Sequence, residues 1–83
     1  MKQKSIVLEA PCDIYNSRAR DLHYAIQESG GEVFIEKLSS HKSCRGTHLL
    51  PILSLGIEKG DQIRLSTSDG HTDLPDLVRV LYQ

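Results

Sequence analysis

Proline and glycine cut this chain into short pieces, and that punctuation limits the fold more than any other feature. Pro11 with Asp13, the "SGG" at 29–31, the glycines at 46, 56 and 60, and "SDGH" at 68–71 leave no room for a long helix or a long strand. Each such cluster either blocks a regular ladder or supplies the backbone freedom of a turn. Between them the apolar residues recur at one of two spacings, two or about 3.6, so each piece can be read as strand or helix.

"SIVLEA" (5–10) is β-branched, with Ile6, Leu8 and Ala10 on one face and Val7 on the other. A helix is expected from Asn16 or Ser17 to Glu28, with Ala19, Leu22 and Ala25 or Ile26 inward and Arg20, Asp21, His23 and Glu28 outward. Asn16 and Ser17 both carry the side-chain oxygen that an N-cap needs, and a glycine of "SGG" ends the helix. "EVFIEK" (32–37) alternates, with Val33 and Ile35 opposite Phe34 and Glu36, and "LSSHK" turns the chain into a short polar strand at 42–45.

"THLLPILSLG" (47–56) reads as a short leucine-rich helix in which Pro51 must fall in the first turn or distort it. "QIRLST" (62–67) is a strand with Ile63 and Leu65 inward. "SDGH" is a turn, and "TDLPDLVRVLYQ" is a closing helix that Thr72 or Asp73 can cap. The order β-α-β-β-α-β-α implies an α+β domain over residues 1–83, a four-stranded antiparallel sheet with three helices on one face. Val7, Phe34 and Arg64 would then lie on the uncovered face.

Charge narrows the functions. The net charge is −1, with seven Lys/Arg against six Asp/Glu in residues 1–45 and three against five in 46–83. Nothing there argues for nucleic acid or an anionic membrane. Cys12 and Cys44 have no metal-ligand spacing, no two histidines sit at helical ligand spacing, and no apolar run spans a bilayer. The expectation is a cytoplasmic protein with reduced thiols, no metal and no cofactor, whose uncovered sheet face permits a monomer or a weak homodimer.

"APCDIYNSRA" (10–19) resembles the active-site signature A-P-x-G-[LI]-H-x-R-P-A of HPr, the histidine phosphocarrier of the bacterial sugar phosphotransferase system. Ala10, Pro11, Ile14 and Ala19 match it without a gap. "EVFIEK" is similar to the second strand of the catabolite-repression HPr homologue, and "LLPILSLGIEKGD" to the family's second helix and the glycine turn after it. The resemblance implies an open-faced β-sandwich of the HPr kind and a protein that is not itself an enzyme.

The departures fall on the chemistry. Tyr15 stands at the phosphohistidine position, Asp13 at the glycine, Ser17 at the phosphate-steadying arginine and Arg18 at the proline. His48 stands where Gram-positive members carry a regulatory serine, with Thr47 the nearest hydroxyl. An imidazole, with a pKa of about 6.5, is largely a neutral nucleophile at pH 7, whereas a phenol at about 10 stays protonated. Tyr15 would therefore need a general base, and Asp13 is the one candidate in the loop.

Three readings follow. In the first, the chain is a non-catalytic regulatory or protein-binding module. The resemblance implies docking of a protein partner by the first helix and the short second helix, through Tyr15, Arg20, Tyr24, Leu49 and Leu50. In the second, it is a phosphocarrier-type protein modified at Tyr15, Thr47 or His48. In the third, Asn16, Ser17, Arg18 and Arg20 hold a small anion at the start of the first helix. Ordinary surface or core roles stand beside each reading.

Overall fold

The computed structural model describes residues 4–68 and 72–82, with backbone only at position 16. The elements run β1 (Lys4–Glu9), α1 (Asn16–Ser29), β2 (Phe34–Lys37), β3 (Lys42–Arg45), α2 (Leu49–Ser54), β4 (Gln62–Thr67) and α3 (Leu74–Leu81). The strands form one antiparallel sheet in the order β1-β4-β2-β3. Asp69–His71 of the expected "SDGH" turn lie outside the described residues.

Register explains the two faces. Ile6 pairs with Leu65 and Leu65 with Ile35, so one row of β1, β4 and β2 points at the helices. The neighbouring row, Val7–Arg64–Glu36, points away from them, and Val7 is 50% exposed. An antiparallel sheet with one covered face needs this alternation. Arg64 reaches Glu36 at 3.3 Å on the open face, and Arg45 lies 6.0 Å from the Phe34 ring.

The helices bury their stripes on the covered face. Ala19, Leu22 and Ile26 of α1 are buried with Ile35, Ile63 and Leu65 of the sheet, Ile52 of α2 and Leu74, Leu77 and Leu81 of α3. Ile26 is therefore the inward residue of the pair left open above, while Ala25 is half-buried. Gly30 takes the left-handed conformation at φ 72° and ends α1, its N–H donating to Gln27 O at 3.1 Å. The Ser29 hydroxyl donates to Ile26 O at 2.6 Å and accepts from Gly31 N.

Several boundaries and caps differ from the sequence expectation. The N-cap of α1 is Tyr15, in extended backbone, with no side-chain capping bond; Asn16 and Ser17 are already helical. The cause lies outside the helix: Ile14 N–H donates to Ile57 O at 3.0 Å, which fixes the extended approach one residue earlier. His23, expected outward, is half-buried, and its Nδ1 lies 3.4 Å from Gly46 O. The ladder of β2 starts at Phe34 instead of Glu32, and the Gly46 N–H donated to Val33 O at 2.7 Å continues its register one residue beyond that start. α2 is shorter than 47–56, with Thr47 and His48 preceding it. α3 starts at Leu74 with Asp73 at the N-cap position, again without a side-chain capping bond.

Candidate functional site

The segment 10–15 enters α1 along the turn that precedes β4. Ala10 N–H donates to Asp61 O at 2.8 Å, and Gly60 N–H returns a bond to Ala10 O at 2.9 Å. Buried Ile14 adds its bond to Ile57 O. The turn is itself braced: Asp61 Oδ2 accepts Glu58 N–H at 2.8 Å and sits 3.6 Å from Lys37 Nζ, which donates to Gly56 O at 3.0 Å. Two adjacent loops hold each other, and the loop before α1 becomes a rigid platform.

Asp13 belongs to that platform. Its Oδ1 accepts Lys59 N–H at 2.8 Å, a charge-assisted bond that ties the loop to the turn. The carboxylate considered above as a base for Tyr15 is thus engaged as a brace. Tyr15 is 40% exposed, and its hydroxyl has no hydrogen-bond partner among the described residues. Its carbonyl accepts from Arg18 N at 3.0 Å, closing the first turn. Cys12, half-buried and free, donates Sγ–H to Leu81 O at 3.6 Å and so touches the end of α3.

The residues expected on the first helix divide between its flanks. Residues two apart on a helix do not share a face, so Arg18 and Arg20 diverge. Arg18 lies one stripe with Ala25, which lines the groove against α3, and is half-buried. Arg20 shares a stripe with His23, whose ring reaches Gly46 at the end of β3. Neither arginine has an ion-pair partner among the described residues. Ser17 is exposed, and Tyr24, 56% exposed, stands on the crest with its ring 5.8 Å from that of His23.

The two leucines of α2 also separate. Leu49 is half-buried against the core, while Leu50 is 74% exposed. His48 occupies the N-cap of α2, exposed, with its imidazole outside any capping bond, and Thr47 is half-buried. Cys44 is free and half-buried, and burial pushes its thiol above the ordinary value. No three His, Cys, Asp or Glu side chains converge among the described residues, and no helix among them is long and apolar enough to cross a membrane.

One side of the sheet open, three helices on the other and a braced loop leading into α1 define an HPr-like fold. Solved structures share it. "HPr-C-His" from Thermoanaerobacter tengcongensis superposes with a TM-score of 0.68 at 18% identity, over 99% of this chain and 88% of that one. The phosphocarrier protein HPr from Bacillus anthracis str. Ames gives 0.71 at 21% identity, over 96% of this chain and 90% of that one. At such identities the likeness is one of fold. No family model matches the chain, and neither does any curated protein.

The sequence missed the Asp13–Lys59 tie and the Arg18–Arg20 divergence. The second was open to inspection, since helical spacing alone separates them. The first joins residues 46 apart and leaves no local signal.

Proposed function

We propose that this chain is a non-catalytic binding or regulatory module on an HPr-like scaffold. It engages a protein partner of a phosphotransferase-type system through the crest of α1 and α2, and does not relay phosphate. The observation that carries the reading is Tyr15: held at the start of α1 by a braced loop, exposed, with no hydrogen-bond partner on its hydroxyl among the described residues and Asp13 bonded to Lys59 N–H. A phenol so placed is a contact group, with an apolar ring and a polar tip.

Tyr24, one turn along α1 from Arg20, and the exposed Leu50 of α2 supply further apolar area. Fully burying such a side chain is worth roughly 1.5–3 kcal/mol, and rigid loops on a scaffold commonly bind. Leu50 is the residue to change, because Leu49 also packs the core. The test is binding of purified enzyme I, permease domains and HPr kinase from the same organism to wild type and to Leu50→Asp, both checked for unchanged thermal stability. At least one protein should bind wild type and lose the Leu50→Asp variant. If none binds, or if capture survives the substitution, the reading fails.

A further inference from the structure

β3 is the last strand in the sheet order, so one of its edges faces no other strand. Gly46 N–H donates to Val33 O on the β2 side, and antiparallel alternation turns the N–H groups of Ser43 and Arg45 away from β2, toward that free edge. Helix α2 runs above it. Lys42 and Cys44 of the strand, with Leu50, Pro51 and Leu55 of the helix, line an apolar groove of about 540 Å³. Leu50 forms its exposed lip.

Charge identifies the occupant. No Asp or Glu lies between Glu36 and Glu58 in the sequence, and Glu36 is engaged with Arg64 on the open face. Lys42 and Arg45 are both exposed and have no carboxylate partner among the described residues. The same cations argue against a second copy. Its β3, Lys42–Arg45, carries no carboxylate, so self-pairing would bring two cationic strands together and leave their charges unmatched.

We propose that the groove between β3 and α2 receives an extended, acidic segment of a partner protein by strand addition. The added strand accepts from Ser43 and Arg45 N–H, points its apolar residues at Cys44 and Leu50, and sets its alternate carboxylates on the open face against Arg45, with Lys42 at the rim of the groove. Main-chain bonds supply affinity and alternate side chains supply selectivity. The inference rests on the docking role of Leu50, and it adds an edge that the crest of α1 does not use.

The experiment is an NMR titration of the ¹⁵N-labelled full chain with a blocked hexapeptide alternating glutamate and valine. A lysine–valine counterpart is the control. The glutamate–valine peptide should give saturable shifts at Ser43, Arg45 and Leu50, and the control none. Ser43→Pro removes an outward N–H and no ladder bond, so the sheet should hold while affinity falls at least about tenfold. Arg45→Glu gives a second variant that leaves the backbone untouched, and should also lose the peptide. Retained capture of a crest partner by Ser43→Pro, with loss of the peptide, separates this site from the function proposed above.

Three results would overturn the inference: no saturable shifts at millimolar peptide, equal binding of the lysine peptide, or shifts confined to Tyr15, Arg20 and Tyr24. A wild-type dimer in sedimentation that Ser43→Pro dissociates would also overturn it, in favour of self-pairing.

Discussion

Asp13→Gly places at this position the residue that the HPr signature carries, and it should weaken the protein. The wild-type carboxylate accepts Lys59 N–H at 2.8 Å across the two loops. A hydrogen bond to a charged group is worth about 1.5–3 kcal/mol when shielded, and exposure here reduces it to roughly 1 kcal/mol. Lys59 N–H is at the surface, so water replaces the lost acceptor and no orphaned donor adds to the cost. Glycine adds unfolded-chain freedom of about 0.5–1 kcal/mol. The sum is roughly 1.5–2 kcal/mol. For a domain of this size each kcal/mol moves Tm by about 4–8 °C, so Tm should fall by roughly 6–16 °C in a calorimetric scan. Asp13→Asn keeps a neutral acceptor and should lose about half as much. A glycine variant that melts within about 1 °C of wild type would refute the brace, and with it the argument that the Tyr15 platform is rigid.

Two further consequences concern the hairpin. A Cβ at Gly46 would run into Ile26 Cδ1 and lie 3.3 Å from Val33 O, so Gly46→Ala should cost about 1–3 kcal/mol in urea unfolding. Adding Ile26→Val, which deletes Cδ1, should restore part of that loss; strict additivity would show that the contact is not the cause. Burial raises the Cys44 thiol above its ordinary 9.0, so the folded state keeps its proton longer than the unfolded chain does. Its contribution to stability is full below about pH 9 and is lost as pH rises through the raised value. Alkylation of Cys44 by iodoacetamide at pH 8 should accordingly be slower than in the urea-unfolded protein, and equal rates would contradict the burial.

The fold was legible because its signals are local. The alternation of "EVFIEK" placed Ile35 inward, the "SGG" stop became Gly30 at φ 72°, and the Ala19–Leu22–Ile26 spacing became the buried stripe of α1. The chemistry of the site was less legible, because it depends on contacts between distant segments. Ile14 bonding to Ile57 moves the cap of α1 to Tyr15, and Lys59 takes the carboxylate of Asp13. Two adjacent leucines read alike in the sequence, yet the angle of α2 on the core sends Leu49 inward and Leu50 out. The free edge of β3 follows from strand order alone, which hairpin spacing does not reveal.

The most direct test of the central claim is the intact mass of the purified protein after two incubations, each run beside an HPr control. One uses phosphoenolpyruvate with enzyme I, the other ATP with HPr kinase. The account expects phosphate on the control alone. A phosphate on this chain, acid-stable on Tyr15 or Thr47 or acid-labile on His48, would contradict it and show a phosphoacceptor whose site has moved.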